Sequence, residues 1–399
     1  MINDGYWIWL QKCLGEGAYF KKIIEDFGSV EALYNSNILE RRISPALVQR
    51  QVDALEKFTL SDVEIIIDVC KQNNWKIITY DDSSYPQRLR DIPNPPAVLY
   101  VDGTLPDIDN TVAIGIVGTR KASSYALKAA YIMSKGISLC GAAAISGGAL
   151  GVDSAAHKGA LSVRAKTVAV LGNGLGADYL RGNQALRDEI RQNGALVTEY
   201  PPFTPASRRT FPMRNRIISG LSLGVLVVEA GVKSGSLITA KYANEQGRDI
   251  YAIPASIFDY DFYGTNKLID DGASVATSPS ILIERYAESY ASVDMSRMKT
   301  VRELLEEISD KSANIKKEKQ ITFDNIIKDR EKTAERQSAA LELKDDEKAV
   351  YDTLGEAFIG IDLIIDKSSL ESKKVLAALT MLEIKGLVQS TSGKRYKLK

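Results

Sequence analysis

The chain has 399 residues, of which 45% are hydrophobic and 26% charged, and its 51 basic residues balance its 51 acidic ones. This composition predicts a globular protein of two or three domains and excludes a polycation that binds nucleic acid through its overall charge. Three scattered cysteines form no disulfide or zinc pattern, and the sequence has neither a signal peptide nor an apolar run of about 18 residues, so we expect a cytoplasmic protein without a membrane segment.

The first 110 residues predict a helical domain followed by a few strands. Helical apolar spacing in WIWLQKCL and YFKKIIEDFGSVEALY indicates a small helical domain over residues 1–60. Residues 61–110 contain KIITY and NPPAVLYVDG, which predict an extension of a larger sheet.

Residues 111–288 predict an α/β domain. Seven short apolar runs, beginning at residues 112, 142, 167, 195, 224, 249 and 273, alternate with segments of helical period. Because the runs are apolar throughout rather than alternating, they favour a parallel sheet covered by helices on both faces. We therefore predict a doubly wound, Rossmann-like domain whose ligand crevice lies at the carboxyl ends of the strands.

The remainder of the chain predicts a charged linker and a second small domain. Residues 289–344 are rich in mixed charge with few large apolar side chains, which is typical of a linker. Residues 345–399 show three helical segments and a hairpin, the pattern of a winged-helix domain. This domain carries nine basic and nine acidic residues, so we interpret it as a protein-contact module or a weak duplex binder.

The segment FPMRNR, residues 211–216, is the strongest functional signal. We predict a helix from Arg214 to Ser222, which places Arg214 and Arg216 in a first turn where the helix dipole disfavours cations. An anion bound there, such as a phosphate, would explain them, and Phe211 offers a ring on which a base stacks. The alternative is a solvated basic loop beside a core phenylalanine.

Other predicted strand ends carry glycine together with small polar or basic residues, a pattern that lets backbone N–H groups approach an anion. With the FPMRNR segment they give the candidate anion-binding set: Gly118, Thr119, Arg120, Ser146, Gly147, Gly148, Phe211, Arg214, Asn215, Arg216, Ser234, Gly235, Ser236, Asn266 and Lys267. Residues 111–288 contain 19 basic and 14 acidic residues, which supports an anionic ligand.

Other chemistry is weakly supported by the sequence. GNGLGA at 172–177 matches a dinucleotide pattern, but helical period resumes only near Asn183, too late for a pyrophosphate to meet a helix N-terminus. We interpret His157 as a structural helix residue, and we expect Asp153 and Glu229 to orient loops and pair with arginines. No catalytic residue, metal site or cofactor is predicted.

In its motifs the chain resembles the DNA-processing protein A family, also called Smf. The matching segments include VGTR at 117–120, SGGALGVDSAAH at 146–157, FPMRNRIISGLS at 211–222, VVEAGVKSGSLITA at 227–240 and GTNKLIDDGA at 264–273. The resemblance implies an N-terminal domain of the SAM or helix-hairpin-helix kind and a Rossmann-like domain that binds single-stranded DNA without catalysis. It also implies a homodimer that protects incoming DNA and helps load the RecA recombinase during natural transformation.

By the same resemblance, the DNA pocket uses Arg120, the loop 146–148 and the segment around Arg214, bordered by residues 234–236 and Asn266. Two departures from the family are Leu150, where many relatives have a basic residue, and Tyr179-Leu180, where Tyr-Pro is common.

Two other functions compete with this one. A related Rossmann-like enzyme would hydrolyse a nucleoside monophosphate, but its P-G-G-x-G-T turn is absent from the sequence. A transcriptional regulator would act through the winged helix, and the neutral charge of that domain argues against it.

Overall fold

The computed structural model describes residues 2–179, 181–309, 343–355, 357–391 and 393–399. The chain divides into two compact units, Met1–Glu306 and Glu307–Lys399. Most of the predicted linker, residues 310–342, and Leu180 lie outside the described residues. Among the described residues, no helix is both long and apolar enough to cross a membrane.

The first unit contains a nine-stranded sheet in the order β1-β2-β6-β5-β4-β3-β7-β8-β9. Its strands are β1 (Lys76–Thr79), β2 (Val98–Gly103), β3 (Ala113–Val117), β4 (Ala143–Ser146), β5 (Thr167–Val170), β6 (Ala195–Thr198), β7 (Gly224–Val227), β8 (Asp249–Ala252) and β9 (Ser274–Val275). Strands β3 to β9 pair in parallel, as predicted from their apolar character. The extension adds β1 and β2, which pair antiparallel to each other, and β2 pairs antiparallel with β6.

Helices cover both faces of this sheet and also form the N-terminal part of the unit. They are α1 (Ile2–Leu14), α2 (Lys21–Phe27), α3 (Val30–Asn35), α4 (Ile38–Ile43), α5 (Gln49–Lys57), α6 (Ser61–Gln72), α7 (Gln87–Arg90), α8 (Ser124–Leu139), α9 (Val152–Leu161), α10 (Gln184–Asn193), α11 (Thr210–Leu221), α12 (Ser236–Glu245), α13 (Tyr263–Asp270) and α14 (Pro279–Ile283).

Alternate residues of the strands pack into hydrophobic cores on opposite faces of the sheet. One core joins Val225 and Val227 to helices α11 and α12, and the other joins Leu226 and Val228 to α8 and α9. The N-terminal helices form a third core with α10 and the outer strands. The predicted α/β architecture with a helical N-terminal domain is therefore confirmed.

The strand order places the crevice. The chain proceeds from β3 through β4 and β5 to β6 on one side, then returns to β7 on the other side of β3. The connections diverge at β3 and β7, so a crevice opens beyond their carboxyl ends. The glycine loops predicted to bind an anion follow these strands.

The second unit has the predicted winged-helix pattern. It contains α15 (Asp345–Tyr351), β10 (Ile359–Gly360), α16 (Ile361–Ser368), α17 (Ser372–Ile384), β11 (Val388–Thr391) and β12 (Arg395–Leu398). The strands form a sheet in the order β10-β12-β11 over a core that includes Val350, Ile364 and Leu379.

The start of α11 corrects one prediction. The helix begins at Thr210 rather than Arg214, so both arginines lie in its second turn and the dipole argument for them was wrong. The physical reason is local: the Ser207 hydroxyl accepts hydrogen bonds from the amides of Arg209 and Thr210, which supplies acceptors at the helix start. Pro212 is tolerated because first-turn amides need no intrahelical acceptor.

Candidate functional site

A cavity of about 410 Å³ lies at the carboxyl ends of β3, β4 and β7. Nine of the predicted residues line it: Gly118, Thr119, Arg120, Phe211, Arg214, Asn215, Ser234, Gly235 and Ser236. The structure thus brings three loops and helix α11 together, although they are up to 118 residues apart in the chain, counted from 118 to 236.

Arg214 is the buried cation of the cavity. Its side chain is 4% exposed, and Nη1 donates to the carbonyls of Gly147, at 2.7 Å, and Val170, while Nε donates to Asn215 Oδ1 at 3.2 Å. These acceptors are neutral, so they fix the guanidinium without cancelling its charge. Burial lowers the pKa of Arg214, an effect that Asp153 partly offsets.

Asp153 lies in the first turn of α9 and is the buried carboxylate in the cavity lining. Burial raises its pKa, and the nearby Arg214 and the hydrogen bond from the Ala149 amide oppose that rise. Gly147 lies between the two charges: a Cβ there would be 2.5 Å from Asp153 Oδ2 and 2.6 Å from Arg214 Nη2. A side chain at 147 would therefore have to displace Asp153 or Arg214.

Arg120 and Phe211 form a stacked wall of the cavity. The Arg120 guanidinium carbon lies 4.5 Å from the centre of the Phe211 ring, and Arg120 is otherwise exposed. Tyr179 also lies against Phe211, with ring centroids 5.3 Å apart. Phe211 is half-buried rather than a core residue, and its ring holds an exposed cation over the cavity.

The start of α12 forms the opposite rim. Ser234 and Ser236 hydroxyls contact each other at 2.8 Å, and Asn215 Nδ2 donates to the Gly235 carbonyl at 3.3 Å. The positive end of this ten-residue helix therefore faces the same cavity as Arg120 and Arg214.

Six predicted residues lie outside the cavity lining. They are Ser146, Gly147, Gly148, Arg216, Asn266 and Lys267. The Ser146 hydroxyl is buried and donates to the Ile116 carbonyl at 2.6 Å, so it is not available to a ligand. Gly148 adopts φ +64° at the loop turn, and its carbonyl accepts from Asn183 at 3.4 Å.

Arg216 takes part in an internal ion pair instead. Its Nη1 and Nη2 donate to the two oxygens of Glu199 at 2.7 and 2.6 Å, and both side chains are buried. Gln11 of α1 donates to the Glu199 carbonyl at 2.6 Å. Arg216 therefore ties α11 to the end of β6 and to the N-terminal helices.

Asn266 and Lys267 are also engaged elsewhere. Asn266 bonds the backbone N–H and carbonyl of Ala255, both at 3.2 Å. Lys267 pairs with Asp271 at 2.8 Å and with Asp270 at 3.4 Å.

The other chemically notable residues have structural partners. His157 is buried with Nδ1 2.8 Å from the Thr167 hydroxyl, and burial lowers its pKa to about 3. Glu229 accepts from the amide and hydroxyl of Ser123 at the start of α8, rather than pairing with an arginine as expected. No group of three or more His, Cys, Asp or Glu side chains suited to a metal occurs in the described part of the chain.

The glycines of GNGLGA pack against neighbouring loops. A Cβ at Gly172 would lie 2.7 Å from the Phe211 ring, and one at Gly176 would lie 2.6 Å from Phe203. Helix α10 begins only at Gln184. This geometry matches the reasoning against a dinucleotide site.

Some lining residues gave no sequence signal. Ala149, Ile218, Ile238 and Thr239 line the cavity because their helices or loops happen to face it. Tyr179 belongs to the glycine loop, and only the fold places it against Phe211.

The profile of the family described as DNA recombination-mediator protein A matches residues 76–287, more than half of the chain. The chain belongs to the DNA recombination-mediator protein A family. The predicted resemblance is confirmed, and residues 334–394 match the DprA winged helix domain as well.

Individual members of the family agree. Protein Smf of Synechocystis is 41% identical over 216 residues, which cover 53% of this chain and 54% of that protein. The DNA processing protein DprA of Bacillus subtilis is 38% identical over 223 residues, 56% of this chain and 75% of that protein. The chain therefore matches about half the length of the Synechocystis relative.

The X-ray structure of DNA processing protein A from Streptococcus pneumoniae superposes with a TM-score of 0.61 at 31% identity. The superposition covers 70% of this chain and 97% of that one. This superposition supports an α/β fold in which helices cover both faces of the sheet.

Proposed function

We propose that this cavity binds single-stranded DNA, with Arg120 and Arg214 holding a phosphate of the strand. The observation that carries the proposal is the meeting of Arg120, Phe211 and Arg214 in one cavity at the strand ends. Two cations and a helix N-terminus converge on the space, while Asp153 is the carboxylate in the lining and burial raises its pKa. An anion there gains charge-assisted hydrogen bonds in a partly dry site.

The size and walls of the cavity favour one nucleotide of a flexible strand over a duplex. A volume of about 410 Å³ is in the range of small-ligand sites, and a base inside it would have to be unstacked from its neighbours. The Phe211 ring lines this cavity, and an aromatic ring stacks bases of any sequence. Binding is therefore expected to depend on the strand state rather than the base sequence.

Membership of a recombination-mediator family supports the wider role. In this proposal the protein is a cytoplasmic homodimer that protects incoming single-stranded DNA and helps load the RecA recombinase in natural transformation or recombination. It does so without chemical turnover. The engagement of His157 with Thr167 and of Glu229 with Ser123 supports a binding role, because neither side chain is presented to the cavity.

The test is fluorescence anisotropy with a labelled mixed-sequence oligonucleotide as a single strand, as a duplex and in competition with mononucleotides. We expect tight binding of the single strand, weak binding of the duplex, and a salt slope of about −3 if roughly four phosphates are neutralised. Lys158→Ala is the matched control, since it removes an exposed charge from α9 outside the lining.

Two results would refute the proposal. Arg120→Ala and Arg214→Ala variants that bind the single strand as tightly as the parent would exclude the cavity. Release of phosphate from a nucleoside monophosphate, with no binding of oligonucleotides, would favour a hydrolase. Adding purified recombinase and single-strand-binding protein then tests loading, which is expected to be faster with the parent chain than with Arg120→Ala.

A further inference from the structure

A second cavity, of about 470 Å³, lies beside the first one. It is lined by the loop after β5, by the residues just before β1 and by α10, and its lining includes Trp75, Asn173, Tyr179, Arg187 and Arg191. Nothing in the proposed phosphate site accounts for this space.

The cavity contains a buried cation, Arg187, that has no anionic partner among the described residues. Arg187 is 6% exposed, its Nε atom is buried with no hydrogen-bond partner, and it forms no ion pair with the described residues. Its guanidinium carbon lies 6.0 Å from the centre of the Tyr179 ring. A buried charge left unpaired costs several kcal/mol or takes an anionic ligand.

No described ion pair joins a carboxylate of the lining to Arg187. Asp102 pairs with Arg191 at 3.8 Å, and Arg191 also contacts Asp188 at 3.4 Å. Asp178 is the other carboxylate of the lining. The lining holds two arginines and two carboxylates, and Arg187 is the arginine for which no ion pair is described, so it suits one anionic group such as a single phosphodiester.

Aromatic rings stand next to this cation. Trp75 is half-buried in the lining, and the Phe203 ring, 57% exposed, lies 6.3 Å from it. Tyr179 supplies a third ring. Exposed rings beside a cation are the combination that binds a nucleotide, because the phosphate pairs with the cation and the base stacks.

A continuous series of contacts joins the two cavities. Arg120 lies 4.5 Å from the Phe211 ring, Phe211 lies 5.3 Å from Tyr179, and Tyr179 lies 6.0 Å from Arg187. Cations at both ends therefore flank a central pair of rings. A strand a few nucleotides long would reach from one cation to the other.

We infer that the second cavity is a second nucleotide subsite for the same strand, in which Arg187 binds a phosphodiester and Trp75 or Tyr179 stacks a base. This inference rests on the proposed function of the first cavity and extends it to a site that a short oligonucleotide leaves empty.

Tryptophan fluorescence provides a direct readout. The chain has three tryptophans, and Trp7 and Trp9 are 2% and 0% exposed, which leaves Trp75 as the one that a base can reach. An oligothymidylate of about 12 nucleotides is expected to quench the emission, whereas a trinucleotide that fills only the first cavity is not. Trp75→Phe should remove the quenching but keep the binding.

Arg187→Gln tests the cation. Binding of the longer strand should weaken about tenfold, with the salt slope reduced by about 0.7, while trinucleotide binding stays unchanged. The variant should melt no lower than the parent, because an unpartnered buried charge is removed. Arg302→Gln is the matched control: it removes the same charge from an exposed arginine that pairs with Glu306 and lies outside the linings of both cavities.

Three results would overturn the inference: parental binding of the longer strand by Arg187→Gln, equal losses in Arg187→Gln and Arg302→Gln, or equal losses for both probe lengths. If the first cavity does not bind single-stranded DNA, the parent chain will bind neither probe. That result is distinct from the three that overturn the second subsite.

Discussion

Replacing Arg120 with alanine separates binding from folding more cleanly than any other change in the first cavity. Arg120 is exposed, and its contact with Phe211 is a cation–π interaction that contributes about 0.5 to 1 kcal/mol to stability at such a site. A phosphate contact from the same guanidinium is worth about 1.5 to 3 kcal/mol. The variant should therefore fold normally and bind single-stranded DNA roughly 10 to 150 times more weakly.

The assay is anisotropy over a salt series with two oligonucleotides of different sequence. Arg120→Ala should lose the same factor for both sequences, because a phosphate contact carries no base information, and its salt slope should fall by about 0.7. Arg214→Ala is a poorer choice, since it also leaves two buried carbonyls without their donor. An unchanged slope, or a loss confined to one sequence, would refute the reasoning.

Three further predictions concern the residues that build the site. Glu199→Gln should lower the free energy of unfolding by about 3 to 5 kcal/mol in a urea titration, because it leaves buried Arg216 unpaired; a loss under about 1 kcal/mol would contradict the ion-pair role. Gly147→Ala should displace Arg214 and weaken the binding of single-stranded DNA roughly tenfold or more in the same anisotropy assay. An affinity equal to that of the parent chain would contradict this, because it would show that the loop shifts to accommodate the added methyl group. Burial depresses the pKa of His157 from its ordinary value of 6.5 to about 3. The neutral imidazole therefore contributes stability above pH 6.5 that is lost as the pH falls towards 3, with a slope of about 1.4 kcal/mol per pH unit. His157→Gln should flatten that dependence in unfolding measured at several pH values, and an equally steep curve would exclude it as the titrating group.

The sheet could be predicted from sequence because its strands are apolar runs long enough to recognise. The run beginning at 112 became β3 at Ala113–Val117, and the run at 224 became β7 at Gly224–Val227. Convergence of the following loops is then a consequence of parallel topology. That is why Arg120 and Ser234 were predicted to share a site although 114 residues separate them, counted from 120 to 234.

The different environments of Arg214 and Arg216 show where sequence reasoning stopped. Residues two apart on a helix point about 200° apart, so both could not face one cavity once α11 included them in its second turn. Glu199, the partner of Arg216, comes from β6, and only tertiary packing brings it there. The predicted helix 214–222 already had this spacing, so the sequence alone could have indicated that only one of the two arginines faces the ligand.

Lys267 illustrates a signal that was present but unused. Asp270 and Asp271 follow it by three and four residues, the spacing at which helical side chains pair. The buried hydroxyl of Ser146 had no such signal, because its acceptor on Ile116 belongs to a neighbouring strand.

Photo-cross-linking of a single strand that carries 5-iodouracil tests the central claim most directly. After irradiation and digestion, mass spectrometry should find the adduct on the peptide that contains Phe211 or on the one that contains Tyr179, and Arg120→Ala should reduce the yield. Adducts confined to residues 345–399 would contradict the account, since the strand would then bind the winged helix and not the cavity at the strand ends.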